Sequence, residues 1–408
     1  MFENLVNQNV TKLLTSDILN NNFPGAVLFC GNDCSGKLTA ALEIDKIYSC
    51  QNIPKGKWSC TCNSCLRNKS LTGTNILLMG PRDCSLGISA AKKTFLKAYI
   101  EKAAYLTTTR FLFLRSIRKL TMRFSGILWK GDSNINKISL LLEDINDNLE
   151  LLDFPRELPE YEMLEKICTN LEEKTNKLET EYLYDSIPVN QIRNMEDWAR
   201  IKSDNGKKTV IIENADRMSD SVRNALLKIL EEPPADCNFI LLTSKRNAIL
   251  PTILSRVRTY DFRERSIEQQ SKIIELVYHE ESQNKTISQY LEGFLPVPAD
   301  KIESYAKEFY KSLISGAVPN IKELIKNCNS FEPRVELKLF LNDIQKIQKS
   351  ILNTQAGTEA AFETSKILRQ LWENVTLYNQ SIVSAFEIFV RDLNKINVTH
   401  GRVLCAGM

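Results

Sequence analysis

The chain has 408 residues, 43% hydrophobic and 25% charged, enough for two or three domains with cores of their own. A formal charge of +3 excludes a histone-like polycation and gives no argument from the total about nucleic acid. No apolar run approaches a membrane span and Met1-Phe2-Glu3-Asn4 lacks a leader pattern, so the expectation is a cytoplasmic chain with no membrane partner.

The first clear element is Ala26–Cys30, an apolar run that predicts a buried strand. It leads into Gly31-Asn32-Asp33-Cys34-Ser35-Gly36-Lys37, which has the spacing of a phosphate-binding P-loop, G-x-x-x-x-G-K-[ST]. Glycines at 31 and 36 let backbone N–H groups wrap phosphates, and Lys37 reaches their outer oxygens. Position 38 departs from the pattern. Leu38 stands where a hydroxyl should hold Mg²⁺, and Thr39, rotated by about 100° on a helix, is a poor substitute.

Four of the eleven cysteines, Cys50, Cys60, Cys62 and Cys65, then crowd into sixteen residues. In a long chain without a leader this points to a metal rather than to a disulfide framework. Four soft thiolates suit a structural, tetrahedral Zn²⁺. Cys62-x-x-Cys65 makes a good knuckle, whereas Cys60, separated from Cys62 by one residue only, needs a local backbone adjustment to join it.

Beyond residue 84 comes a hundred-residue stretch with helical spacing of apolar residues at 138, 141, 142, 145, 149 and 152, and again from 164 to 182. Pro155 and Pro159 separate the two patterns, suggesting a helical hairpin or arm. Its charge is partitioned. Residues 92–137 hold eleven lysines and arginines against Glu101 and Asp132, while 143–181 hold thirteen acids against four bases. Interleaved Phe111, Phe113, Phe124 and Trp129 make a DNA grip conceivable. The adjacency of complementary charges favours packing of the two halves on each other.

Thr209–Ile212, followed by Glu213 and Asn214, predicts a second buried strand that delivers polar groups to its carboxyl end. A helix follows, then an apolar strand Phe239–Leu242 ending on Thr243 and Ser244, then Leu254-Ser255-Arg256 behind a short helical turn. From Ser266 to Val277, from Ile302 to Ile314, and along Leu337, Leu341, Ile344, Leu368 and Leu371 the pattern is helical.

The ordered set Asn224-Ala225-Leu226-Leu227-Lys228, Glu231-Glu232-Pro233-Pro234 and Ile253-Leu254-Ser255-Arg256 resembles the AAA+ subunits of the bacterial DNA polymerase III clamp loader. Val257 replaces the cysteine that usually closes that motif. Phe23-Pro24-Gly25-Ala26 and Ser186–Arg193 resemble the same family. The resemblance implies an α/β AAA+ core, a P-loop with a mostly parallel sheet, over 1–262. It places a zinc module at about 50–65 and a helical insertion at about 84–182. An α-helical lid over 263–319 and an α-helical collar for oligomerisation over 320–408 would follow.

It also implies roles. Gly31, Ser35, Gly36, Lys37, Thr39, Glu213 and Thr243 fall on nucleotide-binding positions, and Arg256 falls on the arginine finger that reaches a neighbouring subunit's ATP. The family's cysteines are spaced C-x-x-C-x-x-C, a pattern that Cys60 breaks. Active relatives carry Asp-Glu where this chain has Glu213-Asn214, and an amide accepts no proton near neutral pH. Asp216, two residues on, is a poor stand-in.

With Leu38, that leaves ATP binding without hydrolysis open and turnover by the isolated chain unexpected. A chain with a spent site and an intact finger resembles the delta-prime members of the family. These are non-hydrolysing stators in a hetero-pentamer with gamma/tau and delta subunits. They meet the sliding clamp and primer-template DNA through that complex in DNA replication. The alternatives are a gamma/tau-like active ATPase and an AAA+ protein of another DNA transaction.

Overall fold

Five strands make one parallel sheet: β1 (Ala26–Cys30), β2 (Ile76–Met79), β3 (Lys208–Ile212), β4 (Cys237–Thr243) and β5 (Arg258–Asp261). Their order is β2-β3-β4-β1-β5, and every pairing is parallel. The computed structural model describes residues 1–400 except 81, 83, 204, 205, 283 and 318; the last stretch of the expected collar, 401–408, lies outside them. The chain divides into two units, 1–290 and 291–408.

All residues of β1 to β4 are buried, because both faces of the sheet are covered. Successive side chains alternate between two cores. Val27, Phe29, Leu78, Ile211 and Ile240 pack with α1 (Val10–Leu19) and α2 (Lys37–Ser49). Leu28, Leu77, Met79, Val210 and Leu241 point the other way, into a larger core. This parallel sheet between helical layers fits the AAA+ architecture read from the sequence.

Between α2 and β2 lies α3 (Asn63–Ser70). The larger core is roofed by α4 (Ser85–Ile100), α5 (Leu106–Thr121), α6 (Ile135–Leu151), α7 (Tyr161–Tyr182), α8 (Val189–Arg200) and α9 (Asp220–Glu231). The stretch 84–182 therefore folds as four helices continuous with the sheet's core. Its basic half does pack on its acidic half. Lys92 pairs with Glu172 at 2.8 Å, Arg118 pairs with Asp153, and Arg110 donates to the carbonyls of Leu152, Asp153 and Arg156. Phe113, Phe124 and Trp129 are buried, and Phe111 meets the Trp58 ring edge-on. Phe113, Phe124 and Trp129 are thus committed to the core, while Phe111 is partly buried against Trp58.

After β4 come the short α10 (Pro251–Leu254), then α11 (Ile267–Tyr278), whose Ser266 and Gln269 form a reciprocal N-terminal cap. The chain continues through α12 (Ile287–Glu292), α13 (Ala299–Ile314), α14 (Ile321–Asn327), α15 (Arg334–Ile347), α16 (Gln355–Thr376) and α17 (Ile382–Thr399). The second unit is all helical among its described residues. Phe309, Phe331, Phe340, Phe386 and Phe389 pack ring against ring at its centre.

Asp45 on α2 is fully buried, and burial pushes its carboxyl up to about 7 against the opposing effect of the nearby Thr209 hydroxyl. The unfolded chain ionises this group above about pH 4. Unfolding thus releases a proton between about pH 4 and 7, and stability falls as pH rises through that window. Asp45→Asn should match the native chain at pH 4 and melt at a higher temperature at pH 8. Equal melting at pH 8 would count against an uncompensated carboxyl there.

Candidate functional site

The carboxyl ends of β1, β3 and β4 bring the predicted residues to one edge of the sheet. Cys30 lies beside Thr243 in register, and the Gly31 N–H donates to the Thr243 carbonyl at 3.1 Å. The loop 31–36 then turns into α2. Gly36 sits at φ +96°, where a side chain is strained, and a Cβ there would lie 2.6 Å from Leu5. A Cβ on Gly31 would meet the Phe262 carbonyl at 2.5 Å.

The loop is braced from outside. Arg265, itself buried, donates to the carbonyls of Cys34 at 2.8 Å and Val6 at 2.9 Å, and Gln8 donates to the Ser35 carbonyl at 3.1 Å. Lys37 lies inside the loop, its ammonium donating to the carbonyls of Gly31 and Asn32 and lying 3.5 Å from the Ser35 hydroxyl. Burial holds its pKa below the usual lysine value, against the pull of Asp33, Cys34 and Asp216. A cavity of about 390 Å³ opens beside the loop, lined by Asn32, Ser35, Ser244, Lys245, Arg265 and Ser288 among others. That volume lies within the range of small-ligand sites.

The residues for a divalent ion do not fit one. Leu38 packs against the apolar core beneath α2, and Thr39 is partly buried on the first turn. Glu213 is taken: its carboxylate is ion-paired with the Arg123 guanidinium, which comes from the turn Met122–Phe124 after α5. Asn214 adopts the left-handed conformation, φ 49°. The Thr243 hydroxyl donates to Asp216 at 2.6 Å and accepts from the Lys245 N–H at 3.0 Å. Arg123 was invisible to motif reasoning. The only signal was the surplus of bases in 92–137, which named no partner.

Arg256 stands at the end of α10. It donates to the Thr252 carbonyl at 2.8 Å and pairs with Glu231 at 3.4 Å, the two side chains being 29% and 62% exposed. None of its described hydrogen bonds or ion pairs reaches the loop 31–37.

Cys50, Cys60, Cys62 and Cys65 converge, with all four Sγ atoms within 4.8 Å of one another, so the cluster could hold a metal ion. Cys60 joins the set despite its spacing, and its Sγ lies 3.8 Å from that of Cys50. Tetrahedral thiolates around Zn²⁺ at about 2.3 Å stand about 3.8 Å apart. Burial raises Cys62, but hydrogen bonds from the Gln51 and Cys65 backbone and the neighbouring thiols bring it down to about 6, towards the thiolate that a metal needs. The module is clasped to its surroundings. Trp58 lies under the Lys46 and Lys69 ammonium groups and against Phe111, and Arg115 donates to the carbonyls of Asn68 and Lys69.

A family model described as DNA polymerase III, delta subunit, matches residues 6–130 and 157–266, more than half of the chain. Only 131–156, which contains α6, is left out of the matched interval. Over 67 residues the chain is 39% identical to DNA polymerase III subunit delta' of Bacillus subtilis, covering 16% of this chain and 20% of that protein. Over 76 residues it is 36% identical to subunit delta' of Haemophilus influenzae, covering 18% and 23%. Subunit tau of Bacillus subtilis is 46% identical over 56 residues, covering 14% and 10%. The aligned segments span less than a quarter of each of these relatives. No helix among the described residues is long and apolar enough to cross a membrane.

Proposed function

The chain belongs to the DNA polymerase III delta-subunit family, and from that premise we propose that it is a delta-prime-like stator of the clamp loader. In this reading it does not hydrolyse ATP. It positions gamma/tau and delta partners in a hetero-pentamer and lends Arg256 to a neighbour's nucleotide while the sliding clamp is loaded onto primed DNA. The observation that carries the reading is the state of the P-loop edge: Leu38 is committed to the core and Glu213 is committed to Arg123. Lewis-acid help from a divalent ion and activation of water both need oxygens free at those positions. Arg256, which bonds nothing in that loop, is available to another subunit. The cysteine module is assigned a structural Zn²⁺, and the second unit the role of collar.

The 46% identity to a tau subunit supports a second reading, a gamma/tau-like ATPase. The isolated chain separates the two. Incubated with ATP and Mg²⁺, it should release phosphate no faster than the buffer blank, and the rate should stay there with Lys37→Ala. Steady turnover that Lys37→Ala abolishes would reject the stator and establish the ATPase.

A further inference from the structure

The Glu213–Arg123 pair is a buried ion pair at this edge of the sheet, with Arg123 5% and Glu213 18% exposed. Both partners are fixed from behind. The Glu213 N–H donates to the Met79 carbonyl at 2.8 Å, Arg123 donates to the Lys119 carbonyl, and the Trp129 indole donates to the Arg123 carbonyl at 2.8 Å. Gly80, directly after β2, makes the room. A Cβ there would stand 2.7 Å from Glu213 Oε2 and 3.3 Å from Arg123 Nε.

We infer that Arg123 is a built-in counter-ion that takes the place of a divalent cation at Glu213 and makes this P-loop edge insensitive to Mg²⁺. The inference rests on reading 31–37 as the nucleotide loop of the proposed stator, and it adds a residue-level cause that the motifs do not contain. A carboxylate at this depth needs a cation beside it, since an uncompensated buried charge is strongly destabilising. In an ATPase of this architecture the metal–nucleotide complex supplies that charge only when it is bound. Here a guanidinium supplies it permanently, so the end of β3 is tied to the helical layer whether or not nucleotide is present. Burial alone would lower the Arg123 pKa, but Cys84, Glu213 and Glu179 around it raise it, so the side chain stays charged. Arg123 is thus a positioning residue: it holds Glu213 and touches no substrate.

The test is rescue by a metal. Arg123→Gln should lower the melting temperature of the full chain by roughly 6 °C or more, the scale expected when a buried pair loses one partner. Millimolar MnCl₂ should return part of that loss, because Mn²⁺ supplies the missing charge at Glu213. Arg123→Gln combined with Glu213→Gln should show no Mn²⁺ response, and neither should the native chain nor Arg123→Lys, which keeps a cation. If Arg123→Gln does not fold, Gly80→Ala replaces it: the added methyl separates the pair without removing either charge and should confer the same Mn²⁺ response. A native chain stabilised by Mn²⁺ would overturn the inference. So would the lack of Mn²⁺ rescue in Arg123→Gln, or in Gly80→Ala where that variant stands in. ATP hydrolysis by the isolated native chain would reject the stator, whereas failed rescue in a chain without turnover rejects only the counter-ion.

Discussion

Arg256→Ala should leave the pentamer assembled and cut its ATPase rate by a factor on the order of 10³, the lower end for arginine fingers supplied by a neighbouring subunit. The side chain stands at the end of α10, 29% exposed, and its hydrogen bonds and ion pair run to Thr252, Ser255 and Glu231. The loss should fall on kcat with nucleotide affinity retained, because the guanidinium meets charge that develops only as the phosphoryl group moves. Arg256→Lys should recover little, as a point charge does not reproduce the planar fork. Gel filtration of the reconstituted complex checks assembly, and steady-state phosphate release checks the rate. Native turnover from an assembled Arg256→Ala complex would remove the finger from the proposal.

Cys65→Ser should empty the cysteine module of metal and open it. Structural zinc contributes about 10–16 kcal/mol to small modules of this kind, and Cys65 is fully buried among the other three sulfurs. Metal analysis should find about one zinc per native chain and almost none in the variant. Limited trypsin digestion should then cut at Lys55, Lys57 or Arg67, and the emission of Trp58 should shift as its cover of Lys46, Lys69 and Phe111 is lost. A Cys65→Ser chain that keeps a full equivalent of zinc would displace Cys65 from the ligand set. A native chain without zinc would dismiss the metal altogether.

Local chemistry was legible before the structure. The strands over 26–30, 209–212 and 239–242 stand within a residue or two of β1, β3 and β4 because central strands covered on both faces are apolar without interruption. β5, reading Arg258-Thr259-Tyr260-Asp261, is an edge strand that buries only Tyr260 and carries no such run. The loop glycines and Lys37 stand out by their spacing, since a phosphate cradle needs those residues in that order, and the structure brings them together between β1 and α2. Glu213 stands out as well, but its partner Arg123 does not. Arg123 is 90 residues away in sequence, and nothing in eleven dispersed bases says which one faces β3. Spacing also undervalued Cys60, because a turn after Gly56 can bring a sulfur to a cluster from more than one register.

The contact between Arg256 and Glu231 has a further consequence. The Glu231 carboxylate faces solvent and the Arg256 guanidinium is partly exposed, and ions in physiological buffer damp such an attraction beyond roughly 8 Å. The guanidinium is therefore parked on an oxygen that it can leave readily. In the proposed finger role, a neighbour's triphosphate would offer several oxygens and more negative charge, so docking would amount to a swap of one acceptor for a better one. Such a swap would be quick in both directions, as the proposed stator would need if it disengages after each cycle.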